Sequence, residues 1–184
     1  NYKKLHGRGG AFLITPIGEG SIFSREQFTE EHRMFEQTAR EFGENRILPV
    51  REELNVLNKD LSLEIFKEMG ELGFLGVDVE EEYGGLALDK TTACIIVDAL
   101  SSGRNASILV TMSAHTGISM LPIAWYGNDK QKKKYLSKLA SGEWMGSYAL
   151  TESGAGSDAL SGEATAVLND EGTHYILNGQ KIYV

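Results

Sequence analysis

Two stretches of this chain, residues 88–100 and 106–125, are mostly apolar and carry few charges, and no other feature constrains the fold as much. A helix with one apolar stripe keeps a polar face for solvent, whereas a helix that is apolar nearly all round has to be covered on more than one side. The pattern therefore predicts two central helices with others packed around them. Pro122 is expected to end or kink the second, because proline lacks the N–H that the helical ladder needs.

Three flanking helices are legible from caps and spacing. Ser24 with Gln27 forms a capping box and Thr29 is a second cap, after which Phe28, His32, Phe35, Ala39 and Phe42 recur at helical intervals up to a predicted end before Pro49. Ser62 is the predicted cap of a helix with Ile65, Phe66, Met69 and Leu72 on its apolar face, closed by Gly73. Gly84 and Gly85 mark a turn. Asn128 with Gln131 opens a further helix that carries Lys132, Lys133 and Lys134 and closes at Gly142. Residues 1–23 are glycine-rich and lack a period, which reads as an extended arm.

After Trp144 the texture changes to small residues and glycines, followed by alternating β-branched and aromatic residues. Asn178-Gly179 is the predicted hairpin turn, since both residues tolerate the positive φ of a type I′ turn. The expected class is α+β: an all-α domain over residues 24–144, then the beginning of a β domain over 145–184.

Composition narrows the chemistry. A formal charge of -8 and a pI near 5.1 oppose binding to a phosphate backbone, so nucleic acid is not an expected partner. One cysteine, Cys94, precludes an internal disulfide and fits a reducing intracellular compartment. No run approaches the roughly 18 apolar residues of a membrane span, so no transmembrane segment is expected. His6, His32, His115 and His174 have no ligand spacing, which leaves no expected metal site. There is no G-x-S-x-G elbow for a serine hydrolase.

Residues 154–159, GAGSDA, satisfy G-x-G-x-x-A, but a dinucleotide fingerprint needs a strand before it and a helix after it. Here the following residues alternate like strands. A loop on a β scaffold, whose glycines let backbone amides approach an anion, fits better; an ordinary glycine-rich turn is the plain alternative.

The wider string YALTESGAGSDALS, residues 148–161, resembles the signature of the acyl-CoA dehydrogenases. FTEEHRMFEQTAREF, LGFLGVDVEEEYGGL, GNDKQKKKYLSKLASGE and NGQKIYV resemble further blocks of that family in the same order, so the likeness covers about residues 26–184. Ser153 departs from the proline that members commonly carry. The resemblance implies a fragment of a three-domain fold: an amino-terminal helical domain, a middle β-barrel-like domain of which only the start is present, and a carboxy-terminal bundle. It implies FAD as cofactor, a fatty acyl-CoA substrate desaturated to the trans-2-enoyl-CoA, an electron-transfer flavoprotein as partner and a homo-oligomeric enzyme. The implied setting is cytoplasmic in a bacterium and the mitochondrial matrix in a eukaryote. Carried over by position, Tyr148, Leu150, Thr151 and Gly156 belong to the flavin site, with Leu150 using its backbone and Thr151 also its hydroxyl. Ser157 would touch both the FAD pyrophosphate and the CoA pantetheine. Tyr183 stands where members usually have tryptophan.

The catalytic base of the family comes from the carboxy-terminal domain, so no catalytic residue is expected within these 184 residues, and Glu152 is read as a loop residue. Ser113, Ala114 and Gly117 fall on the helix that resembles the acyl-pocket wall, a lean toward longer acyl chains. The lysine run reads as a solvated face and His115 as a satisfied, partly buried histidine. Two rival readings are an oxygen-using acyl-CoA oxidase relative and a non-catalytic acyl-CoA- or flavin-binding module.

Overall fold

The computed structural model describes residues 9–16, 18 and 23–184. Most of the predicted extended arm lies outside the described residues. Of the part inside, Gly9–Ile14 is a 3-10 turn rather than extended chain, and the Thr15 hydroxyl donates to the Ala11 carbonyl at 2.8 Å.

Helix α1 (Glu30–Phe42) starts at Thr29, whose hydroxyl accepts the His32 N–H at 3.1 Å while His32 Nδ1 accepts the Thr29 N–H at 3.2 Å. Ser24 does close a capping box, but over a separate 3-10 turn, Arg25–Gln27. Pro49 does not end the helical path. The chain widens to a π-wound segment, Gly43–Ile47, and tightens to a 3-10 turn, Leu48–Val50, in which the proline occupies a first-turn position where no N–H is required. A short α2 (Arg51–Asn55) follows. Arg46, in the π segment, clamps it to the next helix through Nε to Glu68 at 2.7 Å and Nη2 to Glu68 and Glu64, both at 2.9 Å.

Helix α3 (Lys59–Glu71) is capped by Asn58, whose side chain accepts the Leu61 N–H; Ser62, the predicted cap, lies one turn inside and donates its hydroxyl to the Asn58 carbonyl. Serine satisfies the same spacing rule in either place, and asparagine, being first, takes the cap. Gly73 closes α3 as predicted, at φ 77°, with the Phe74 N–H reaching back to the Met69 carbonyl. Asp89 caps α4 (Lys90–Leu100) through the Thr92 N–H at 2.8 Å.

The second apolar stretch forms α5 (Ala106–Ser113), a π-wound turn (Ala114–Met120) and α6 (Leu121–Tyr126). Pro122 neither ends this path nor leaves a gap in it. The wide turn just before the proline shifts the hydrogen-bond register and absorbs the missing N–H. Among the described residues this helix, Ala106–Tyr126, is long and apolar enough by length and composition to cross a membrane, contrary to the expectation above. Among the described residues it is only partly covered, with Val110, Ile118, Trp125 and Tyr126 exposed, where the sequence predicted burial on more than one side. Ile108 and Met112 enter one apolar cluster with Ala39, Phe66, Met69, Phe74, Ile96 and Leu100, while Met120 and Ala124 enter a second with Val79, Leu136 and Leu139. Helix α7 (Asp129–Ala140) opens on the predicted Asn128–Gln131 capping box.

Beyond α7 the chain turns irregular and then forms one antiparallel pair, β1 (Thr165–Leu168) and β2 (Tyr175–Asn178), in the register Thr165↔Asn178 to Leu168↔Tyr175. Asn178-Gly179 is not the turn between them. The turn spans residues 169–174, where Asn169 Oδ1 accepts the Thr173 and His174 N–H groups at 2.9 and 3.0 Å and Gly172 takes φ 69°. Gly179 instead sits at the open end of the sheet, where a Cβ would collide with Ala164. Val167, Leu168, Tyr175, Ile176 and Leu177 are all exposed, so neither face of this hairpin is covered among the described residues.

Candidate functional site

The passage from helices to strands is held by His115. Its ring is fully buried in the π-wound turn, edge-on to Phe66 with centroids 4.8 Å apart. Nε2 lies 3.0 Å from the Leu139 carbonyl, and Nδ1 accepts the Gly146 N–H at 2.8 Å. A carbonyl can only accept and an amide can only donate, so these partners select the neutral tautomer with its proton on Nε2. Gly146 has to be glycine: a Cβ there would overlap the Ser119 side chain. Two residues further on begins the segment with the candidate ligand contacts.

Burial pushes the His115 pKa down to about 4 from an ordinary value of 6.5, against a small upward pull from the Leu139 carbonyl. Between those two pH values the unfolded chain takes up a proton that the folded chain refuses, so stability falls as pH falls through this window and levels off below it. The expected loss is about 3 kcal/mol. Urea unfolding at pH 7 and pH 4.5 should show a drop that His115→Gln reduces by about 2 kcal/mol or more; equal drops would remove His115 as the titrating group.

From Tyr148 to Ser157 the chain forms a short irregular segment and a tight turn. Glu152 N–H donates to the Ala155 carbonyl and Ala155 N–H to the Glu152 carbonyl, both at 3.1 Å, which closes the turn around Ser153 and Gly154. Neither bond uses Ser153, so the residue that departs from the family pattern does not enter the closure. Tyr148 and Leu150 are about half exposed, Thr151 is partly buried, and Gly156 and Ser157 lie in the open. The Ile182 N–H donates to the Thr151 carbonyl at 2.9 Å, which draws the segment after β2 alongside Thr151; the Tyr183 ring itself stands in solvent.

Glu152 is the residue whose role the sequence did not reveal. Its carboxylate is 9% exposed and accepts from Glu163 N–H at 2.6 Å, Ala164 N–H at 3.1 Å and Lys181 Nζ at 2.6 Å. The hydrogen bond from Lys181, followed by the two backbone bonds, holds its pKa below the usual glutamate range. A carboxylate so engaged is a poor general base, and it ties the signature turn, the start of β1 and the segment after β2 together. Glu followed by Lys 29 positions later is no sequence signal, since only the fold makes the two neighbours.

Gly154 and Gly156 bear on what the loop can hold. Neither has a positive φ, and a Cβ at either would meet nothing within 4 Å. Backbone conformation and packing among the described residues thus give no reason for glycine at these positions. What glycine supplies there is open access to the main chain, which suits an anionic ligand approaching closely. Elsewhere Ser113 and Gly117, with Thr116, line a cavity of about 430 Å³ against α4, whereas Ala114 is not part of its lining. Lys133 and Lys134 are exposed, with Lys134 over the Tyr135 ring, as expected of a solvated face, whereas the Lys132 side chain is mostly covered, 3.7 Å from Glu80 and over the Tyr83 ring.

The family profile described as "Acyl-CoA dehydrogenase, N-terminal domain" matches residues 29–143, more than half of the chain. The chain belongs to the acyl-CoA dehydrogenase family. It is 45% identical over 177 residues to a probable acyl-CoA dehydrogenase of Bacillus subtilis, covering 96% of this chain and 30% of that protein. It is 38% identical to a short-chain specific acyl-CoA dehydrogenase of Clostridium acetobutylicum, covering 85% of this chain and 40% of that one. An acyl-CoA dehydrogenase from Bacillus anthracis, solved in complex with FAD, superposes with a TM-score of 0.87 at 49% identity, over 94% of this chain and 29% of that chain. The chain thus spans between 30% and 40% of the length of these curated relatives.

Proposed function

We propose that the full-length protein is an FAD-dependent oxidoreductase that converts a fatty acyl-CoA to the trans-2-enoyl-CoA and passes the electrons to an electron-transfer flavoprotein. The observation that carries this reading is the loop of residues 148–157, with two glycines that nothing among the described residues requires and with Thr151 bonded to the segment that carries Tyr183. In this reading residues 24–144 are the helical domain and 145–184 the start of the flavin-binding β domain, with 1–23 as an arm. Tyr148, Leu150, Thr151 and Tyr183 border the flavin, Gly156 and Ser157 face its pyrophosphate, and Ser157 also meets the pantetheine of CoA.

The reaction removes a proton from the α carbon and a hydride from the β carbon. FAD, when bound, supplies the hydride acceptor. The chain's part is to bind and orient it and to offer hydrogen bonds where negative charge develops, for which the Thr151 hydroxyl is suited. The α proton needs a carboxylate in reach of the thioester. Glu152 is committed to three other donors, which supports a base from outside residues 1–184.

The full-length protein is expected to purify yellow, and anaerobic addition of acyl-CoA should bleach the flavin. Hydrogen peroxide formed in stoichiometric yield during aerobic turnover would point to the oxidase alternative instead. Well-folded full-length protein that takes up no FAD from an excess would sink the proposal.

A further inference from the structure

Lys181 does more than neutralise Glu152. Its ammonium also donates to the Leu150 carbonyl at 2.9 Å, and the pair is sheltered, with the lysine side chain 31% exposed and the glutamate 9%. The Leu150 carbonyl and the Thr151 N–H belong to one planar trans peptide and point in opposite directions. Fixing that carbonyl on Lys181 therefore turns the Thr151 N–H away from Lys181, and among the described residues this N–H and the Thr151 hydroxyl find no hydrogen-bond partner. On the other side of the residue, Ile182 N–H holds the Thr151 carbonyl.

We infer that Lys181 is a positioning residue: with Glu152 as its counter-ion it locks the Leu150–Thr151 peptide plane, so that the Thr151 N–H and hydroxyl are presented to the ligand rather than to the chain. This deepens the FAD reading above and rests on it. The lysine never touches the flavin in this assignment. It acts by fixing the direction of donors that do, and Glu152 acts by holding the lysine head in place against solvent.

The lysine's two roles can be separated. Lys181→Met leaves the Leu150 carbonyl unheld and also leaves a buried carboxylate without its cation, which by itself is unfavourable. Adding Glu152→Gln removes that unpaired charge but still leaves the carbonyl free. Apo-protein prepared from the full-length enzyme and titrated with FAD should bind about 10- to 100-fold more weakly in both variants, the loss expected for one or two charge-assisted hydrogen bonds. The visible flavin spectrum should shift in both, and exchange of the Glu152 and Ile182 amides of the apo-protein, bonded on either side of that peptide, should quicken. Lys181→Arg, which keeps the charge and the reach, should restore affinity to within about threefold of wild type, a difference of ~0.7 kcal/mol.

A double variant with wild-type FAD affinity, spectrum and exchange would overturn the inference, since it would show that the unpaired Glu152 was the only defect. If Lys181→Met fails to fold, the double variant decides alone. Wild-type protein that binds no FAD would overturn the cofactor reading itself and this inference with it. Wild-type protein that binds FAD alongside unaffected variants would overturn only the role of Lys181.

Discussion

A polypeptide of residues 1–184, supplied with excess FAD and acyl-CoA without oxygen, is expected to reduce flavin at least about 100- to 10,000-fold more slowly than the full-length protein, the contribution typical of a positioned general base. The reason lies in Glu152, the one acid of the signature turn: its carboxylate already accepts three hydrogen bonds, and Lys181 holds it in the ionised form with a lowered pKa. Abstracting a proton from carbon would require it to leave all three partners. The β1–β2 hairpin adds a second deficit, because a two-stranded sheet with both faces bare is marginal by itself and a poor wall for a ligand. Stopped recording of the flavin absorption after mixing measures the rate directly. Bleaching at a rate near that of the full-length protein would place the base within these residues, with Glu152 the first to be changed.

In the full-length protein, Thr151→Val is expected to slow flavin reduction by acyl-CoA by about 30- to 1,000-fold, the ~2 to 4 kcal/mol commonly lost with one hydrogen bond at a centre where charge develops. Valine nearly keeps the volume, and the Thr151 carbonyl bond to Ile182 N–H uses only backbone, so folding should change little. The contrast between rate and stability is the test. Anaerobic stopped-flow gives the first and thermal unfolding of the same preparation the second. A wild-type reduction rate would remove the hydroxyl from the chemistry, and a parallel fall in melting temperature would make it a structural group.

Most of the helical part was legible because its signals are local. The Asn128–Gln131 box, the Thr29 cap and Gly73 after α3 each act within a turn or two of chain, where spacing and geometry are the same thing. The corrections arose where a local rule had two solutions. Ser62 and Asn58 both suit a cap, and Pro49 and Pro122 both break an α-ladder unless the chain shifts to a 3-10 or π register, which packing against the rest of the core selected here. Asn169-Asp170-Glu171-Gly172 was also a turn signal in plain view. The glycine of Asn178-Gly179 is needed instead for its close approach to Ala164.

By itself the sequence determined the class, the places of the main helices and the family likeness of the 148–161 string, since all three rest on residues near one another in the chain. Tertiary structure decided what the isolated residues are for. His115 became the tie to Gly146, 31 positions away, and Glu152 met Lys181 across 29, because a buried imidazole or carboxylate must find partners wherever the fold brings them. No spacing rule encodes those pairings: they exist only once α5–α6, α7 and the hairpin have packed and taken the water away.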